Sequence, residues 1–259
     1  MSSKITFSFG KNWMDYNKQV TPLEIEGAKE DLLNWVGKEN IAGKRILDLG
    51  CGSGIHSLCL FDLGAKELIS FDYDPHSVSA TSQYWERRGR PSNWKISEGS
   101  VLDKTFLDQL GKFDLVYSWG VLHHTGDMWQ AINNALSLVA DQGLFYITLY
   151  KDDNYAHSIK VKERYNASSA SGKTWMTYKE IMKIMARRAL TFRNPFSWNK
   201  NMGRGMNGYH DLIDWLGGLP YEVANEDEML QWGIKNGLQM KRIWCSNGKG
   251  SCNYYLFQK

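Results

Sequence analysis

ILDLGCGSG, residues 46–54, decides the fold. A short run of strand character, with Asp48 inside it, meets three glycines, Gly50, Gly52 and Gly54, and a helical stretch over 55–63 follows at once. Glycine at such a turn lets a ligand reach the backbone without meeting a Cβ. The free N–H groups that open the next helix favour an anionic group. The spacing is GxGxG rather than the GxGxxG of dinucleotide folds, and no GK[ST] follows, so NAD(P) and ATP lose weight as ligands.

Working outward, RILDL (45–49), ELISFD (67–72), WKISE (94–98), FDLVYS (113–118) and LFYITL (144–149) read as five strands, with helices over 76–88 and 128–139 among their connections. Connections of this length imply right-handed crossovers and a mostly parallel sheet. Upstream, Thr21, Pro22 and Glu24 make a capping-box start, and Ile25, Ala28, Leu32 and Val36 give that helix one buried stripe. Downstream, Asn225 and Glu228 open another helix, which Gly237 closes. LQMKRIWC (238–245) and CNYYLFQ (252–258), joined by SNGKGS, form a hairpin that makes the last strand antiparallel. The fold expected is α/β: a seven-stranded, mostly parallel Rossmann-like sheet with an antiparallel last strand, plus a helical lid insertion after strand five. Its parts are an aromatic arm (1–20), a cofactor-binding core (21–150), a basic helical insertion (151–225), and a final helix and hairpin (226–259).

The 259 residues are 42% hydrophobic and 23% charged, which excludes wholesale disorder. A net charge of +3 does not announce a nucleic-acid binder. The charge is polarised, however. Residues 151–205 hold 12 Lys/Arg and 4 Asp/Glu, or +8, leaving 19 basic and 24 acidic side chains elsewhere, or −5. Cys51, Cys59, Cys245 and Cys252 show neither CxxC nor Cys/His ligand spacing, so no zinc or other metal site is expected. No secretory pattern opens the chain and no apolar run reaches about 20 residues. A soluble, reduced, cytoplasmic protein is expected, with peripheral membrane contact a weaker reading.

Asp72 ends strand two, 18 residues past Gly54, where a carboxylate can take both hydroxyls of a ribose. Asp103, in EGSVLD after strand three, is placed to accept from an exocyclic adenine amine. With the glycine loop, these describe a pocket for carboxylate, ribose and adenine along the C-terminal strand edge. The set ILDLGCGSG, ISFDYDP, EGSVLD and FDLVYSWGVLHHTGD resembles the class I S-adenosylmethionine-dependent methyltransferases over roughly 40–150. The resemblance implies that Asp48, Gly50, Cys51, Gly52 and Gly54 meet the methionine end of the cofactor. It implies that Asp72 holds the ribose, Asp103 the adenine, and Tyr73 and Leu102 flank the ring. Ser118 and Trp119 close strand four on the cofactor side, where Trp119 covers the cofactor or merely packs. WGVLHH resembles the small-molecule branch, such as the quinone-biosynthesis methylases. No N/D-P-P-Y/F motif follows strand four, which disfavours amino-methylation of nucleic acid, and the absence of CxxxCxxC excludes radical use of the same cofactor.

A phenol or alcohol acceptor needs a base, and His123 and His210 are the candidates. His124, Tyr209, Asp211 and Trp215 are candidate acceptor contacts, and the basic insertion points to an anionic small molecule. A methyltransferase acting on RNA or protein, or a non-catalytic cofactor-binding module, are the competing readings. Phe9, Trp13 and Tyr16 share one helical face. They pack on the core, or they close as a flap in which Trp13 covers the cofactor. A sulfonium over an aromatic face gains about 0.5–2 kcal/mol. KEIMKIMARRALTFR (179–193) is an amphipathic helix that packs on its own domain or lies on an anionic lipid surface.

Overall fold

The computed structural model describes residues 7–151, 153–199, 205, 207–246 and 251–259. An opening helix, α1 (Phe9–Asn17), precedes α2 (Pro22–Trp35). The repeating unit then runs β1 (Arg45–Leu49), α3 (Ile55–Asp62), β2 (Glu67–Asp72), α4 (Pro75–Arg87), β3 (Trp94–Glu98), α5 (Lys104–Asp108), β4 (Phe113–Trp119), α6 (Met128–Ser137) and β5 (Val139–Lys151). The insertion is α7 (Tyr155–Ala167), α8 (Ala170–Leu190) and α9 (Gly208–Gly217). The chain closes with α10 (Glu226–Lys235), β6 (Gln239–Trp244) and β7 (Ser251–Gln258).

The seven strands form one sheet in the order β3-β2-β1-β4-β5-β7-β6, with β7 antiparallel to both neighbours. β1 pairs with β2 on one side and β4 on the other, so the winding reverses between β1 and β4. A sheet of this kind binds ligands beyond its C-terminal strand ends, at that reversal. Period-two alternation splits each strand between two cores. Leu47, Leu49, Val116 and Phe145 pack on the face that α6 and α10 cover, while Ile46, Leu68, Leu115 and Tyr146 pack on the face that α2 and α3 cover.

Local rules place the element ends. The capping boxes at Thr21–Glu24 and Asn225–Glu228 both form, and Gly237 is left-handed at φ 69°. Two boundaries differ from expectation. α6 stops at Ser137, because Val139 already pairs with Phe113 in β5, which therefore starts before its apolar run. The helix expected over 179–193 begins at Ala170, where Ser169 accepts from Gly172 N–H, and stops at Leu190. Residues 208–217, with their bulky aromatics, form α9, capped by the Asn207 side chain. The beginning of the arm (1–6) and the hairpin connection (247–250) lie outside the described residues. No described helix is long and apolar enough to cross a membrane.

Candidate active site

The C-terminal ends of β1, β2 and β4 open into a cavity of about 740 Å³. The glycine loop forms its floor. Gly50 and Cys51 N–H groups both donate to Phe71 O, at 2.8 and 3.1 Å, which ties the loop to β2. Asp72 is held through both oxygens: Gly52 N–H donates to Oδ2 at 3.0 Å and Asp74 N–H to Oδ1 at 2.9 Å. The Tyr73 N–H acts on the same carboxylate, which has about four acceptor sites in all. Burial pushes Asp72 up to about 6 against the pull of those N–H groups. Beneath the loop, Asp48 accepts from Ser57 Oγ, which lies 2.8 Å from Ser70 Oγ. Burial pushes Asp48 up to about 7, and the neighbouring Asp72 charge adds to the shift. Two carboxyls held above their ordinary range favour a ligand that brings positive charge.

The glycines divide by role. A Cβ on Gly52 would stand 3.3 Å from Trp13 Nε1, so the arm lies directly over the loop. Gly54 faces the other way: its Cβ would meet Thr81 Cα of α4 at 2.6 Å, at a left-handed φ of 83°. Gly54 is thus a packing residue between α3 and α4, outside the cavity lining, which corrects its expected place at the ligand. Cys51 lines the cavity, but its Sγ accepts from Thr81 Oγ1 at 3.2 Å and burial pushes its thiol well up, which leaves it a protonated filler.

Trp13, Tyr73, Leu102 and Trp119 line the cavity together with Asp48, Gly50 and Asp72. Asp103 and Ser118 do not. Asp103 is exposed and its carboxylate caps α5, accepting from Phe106 N–H at 3.1 Å. Ser100 takes the lining position instead, its Oγ accepting from Leu102 N–H at 3.2 Å. Ser118 is fully buried inside β4.

The expected bases are also displaced. His123 is fully buried behind the cavity wall, with Nδ1 facing Tyr150 N–H at 3.4 Å, and burial holds it well below the usual histidine range. His124 is the one that lines the cavity. Its Nδ1 lies 2.7 Å from Pro220 O. A carbonyl only accepts, so Nδ1 carries the proton and Nε2 the lone pair. Burial lowers His124 to about 3, so it is neutral at physiological pH. His210 does not reach the cavity: its Nδ1 bonds Asn12 Oδ1 at 2.6 Å, between α9 and α1. Tyr209 and Trp215 are likewise outside the lining. Trp215 O instead accepts from the buried Lys162 amine, which also lies 4.3 Å from the Tyr221 ring centroid.

α1 joins the two sides of the site. On the core side, Asp74 caps α4 and accepts from Ser8 Oγ at 2.8 Å and Gly10 N–H at 2.9 Å. On the insertion side, Asn12 Nδ2 donates to Asp214 Oδ1 at 2.8 Å. Tyr16 is buried and its hydroxyl reaches Gly205 O. The last turn of α1 is therefore packed, while Phe9 and Trp13 at its start line the cavity. Asp74 was not among the expected site residues, although Asp followed by Pro is a helix-start signal that marks it.

The insertion reaches the cavity through Asp211 and Asp214, near His124 and Tyr150 in the lining. None of its described lysines or arginines lines it; the lining lysine is Lys11, from the arm. Among the described residues, the expected attraction of an anionic acceptor by the basic insertion finds no counterpart in this wall, because the insertion's described lysines and arginines lie outside the lining.

Residues 41–202 match the family described as Methyltransferase domain, well over half of the chain. The chain belongs to the methyltransferase domain family. The fold of the methyltransferase is also that of the magnesium protoporphyrin IX methyltransferase of Synechocystis PCC 6803, at TM-score 0.56 and 14% identity over 92% of this chain and 84% of that one. An O-methyltransferase family protein of Burkholderia thailandensis superposes at TM-score 0.53 and 14% identity, covering 88% of this chain and 54% of that one. In sequence, the methyltransferase is similar to the ribosomal protein L11 methyltransferase of Mannheimia succiniciproducens, 39% identical over 64 residues, 25% of this chain and 22% of that protein. The corresponding protein of Acinetobacter baumannii is 37% identical over 82 residues, 32% of this chain and 24% of that one. These matches span less than a quarter of those relatives' length. The comparisons reach the family, whose cofactor is S-adenosylmethionine, and not the quinone-biosynthesis branch.

Proposed function

We propose that the protein transfers a methyl group from S-adenosylmethionine to a small molecule whose acceptor end is an amine or carries positive charge. The observation that carries this reading is the cavity lining, to which the insertion contributes two carboxyl groups and none of its described lysines or arginines, with the buried Lys162 acting on Asp214 and His124 from outside the lining. The residues at the loop suit the cofactor. The half-buried Asp72 keeps acceptor capacity for a ribose hydroxyl, Asp48 sits beneath a loop that a Cβ would crowd, and the Trp13 ring lies across Gly52. When bound, S-adenosylmethionine supplies an electrophilic methyl carbon.

The chain's own work is then binding, alignment and exclusion of water. Phe9 and Trp13 roof the cavity from α1, and His124 and Tyr150 form part of its acceptor wall. An amine that arrives as the cation must lose its proton before its lone pair can attack, and with His124 held near 3, a poor general base, the lining carboxyls are the groups that can take it. Burial raises Asp214 above the usual carboxylate range, against the pull of the Asn12 hydrogen bond and the Lys162 charge, and a cation beside it would favour its charged form. The helices of the insertion act as the lid over this end.

The test uses methyl-labelled S-adenosylmethionine with host metabolites separated into cationic and anionic pools, and also with ribosomes and total RNA. Label in small molecules of the cationic pool, identified by mass, supports the reading. Label confined to the anionic pool removes the acceptor class, and label in ribosomal protein or RNA replaces the small-molecule reading altogether. Failure to bind S-adenosylmethionine in calorimetry removes the cofactor assignment.

A further inference from the structure

The insertion presents opposite chemistry on its two sides. Inward, α9 offers Asp211 and Asp214 to the cavity. Outward, α8 carries Trp175, Tyr178 and Met182 at spacings of three and four, 58, 62 and 63% exposed. Lys179, Lys183 and Ala186 join them in lining a shallow surface groove, and Lys179 Nζ lies 5.0 Å from the Trp175 ring centroid. Over Ala170–Leu190 the helix has five basic residues and one acid, Glu180, which pairs with Lys183 at 2.6 Å. At and beyond its end the apolar line continues through Leu190, Phe192 and Phe196, all strongly exposed. Phe192 is held at a left-handed φ of 55°, which costs a bulky residue roughly 1–2 kcal/mol. The left-handed turn itself closes α8, with Phe192 N–H donating to Ala189 O at 3.0 Å and Arg193 N–H to Arg188 O at 2.8 Å, but a glycine would serve there without strain, and the ring that stands in its place is left fully in water.

We propose that this face docks on an anionic lipid surface, with α8 lying in the headgroup plane. Basic side chains flanking a Trp/Tyr/Met/Phe line are what such a surface selects: the rings enter the acyl boundary and the cations meet lipid phosphates. Trp and Tyr belong at that depth because one part of each ring system is apolar and the other polar. A second copy of the chain fits less well, because it would set the same basic rim against itself. An RNA backbone would satisfy the cations but leave Met182, Leu190 and Phe192 without apolar partners. The proposal is independent of the acceptor, because none of these residues lines the cavity.

The full chain is sedimented with phosphatidylcholine vesicles and with mixed phosphatidylcholine–phosphatidylglycerol vesicles. Binding to the anionic vesicles is expected, with little to the neutral ones, and with release at high salt as the charges are screened. The combined variant Trp175→Ala, Tyr178→Ala, Met182→Ala is expected to bind anionic vesicles at least tenfold more weakly. Lys179→Gln and Arg187→Gln are each expected to weaken binding on the order of fivefold. Cofactor affinity is expected to be unchanged in all of them, which shows that they are folded. Equal sedimentation with both vesicle types, none with either, or full binding by the triple variant overturns the proposal. So does a dimer, seen by analytical ultracentrifugation, that the triple variant dissolves, or retention on RNA that exceeds retention on vesicles.

Discussion

At the glycine-loop end of the cavity, the polar groups are fixed by backbone atoms close by in the chain or on the next strand: Gly52 and Asp74 N–H groups hold Asp72, and Phe71 O holds Gly50 and Cys51. At the insertion end they are fixed by partners from elements distant in the chain, with His124 set by the Pro220 carbonyl and Asp214 by the Asn12 side chain. The first kind of site is a local motif and tolerates change poorly. The second is assembled by tertiary packing, so its members can be exchanged to suit an acceptor while the cofactor floor stays the same.

Five measurements break or sharpen that contrast. The largest effect is expected for Gly54→Val. A Cβ there meets Thr81 Cα at 2.6 Å with φ at 83°, and left-handed strain plus overpacking sum to about 2–5 kcal/mol, readable as lost stability in urea unfolding. Next, Asp72→Ala is expected to weaken S-adenosylmethionine binding by about 1.5–3 kcal/mol, the range for charge-assisted hydrogen bonds; calorimetry that finds unchanged affinity would break the ribose assignment. Third, Asp211→Asn is expected to raise KM for a cationic acceptor about tenfold, near 1.4 kcal/mol, while cofactor affinity stays within about 0.5 kcal/mol. A loss of cofactor affinity would show that the two ends are one unit.

The smallest effects are those of pH. Asp48 and Asp72 are raised to about 7 and about 6, so their contribution to the stability of the unliganded fold is complete below the unfolded range and is lost as pH rises through 6 and 7. A ligand bringing positive charge favours their ionised forms. The rise in Tm on adding S-adenosylmethionine is therefore expected to be larger at about pH 8 than at about pH 5.5. His124 has the opposite sign. Lowered to about 3, it contributes stability that is present above the unfolded value and is lost as pH falls toward the folded one. His124→Gln is expected to flatten that acid limb, measured as the difference between variant and parent unfolding curves.

The same contrast governs what the sequence made legible. The glycine loop, Asp72, both capping boxes and the antiparallel last strand were readable because each rests on a spacing of a few residues. Asp103 was ambiguous because a carboxylate after a strand suits a helix cap as well as a ligand, and the contact the structure shows is the cap, to Phe106 N–H. His123 and His124 differ by one position, which puts one behind the wall and the other on it; that depends on the short turn after β4, where no periodicity applies. His210 looked chemical beside Tyr209 and Asp211, but its partner is Asn12, in a helix nearly two hundred residues earlier. The direction of the insertion's charge was invisible for a related reason. Composition gives +8 over 151–205, while the helix that lines the cavity is α9, beyond that stretch, and the residues it turns inward are two aspartates.

The clasp formed by α1 bears on how the molecule comes to be folded. Asn12 and Asp214 are 202 residues apart, so during synthesis the helix that roofs the loop is made early and finds its partner only when α9 has emerged. A contact of that span contributes only after most of the chain has been ordered around it. The sheet and its glycine loop can assemble while α1 still lacks its far anchor, and the roof is among the last parts to settle. Competence to enclose a ligand is therefore expected to appear at the end of folding, later than the strands that define the fold.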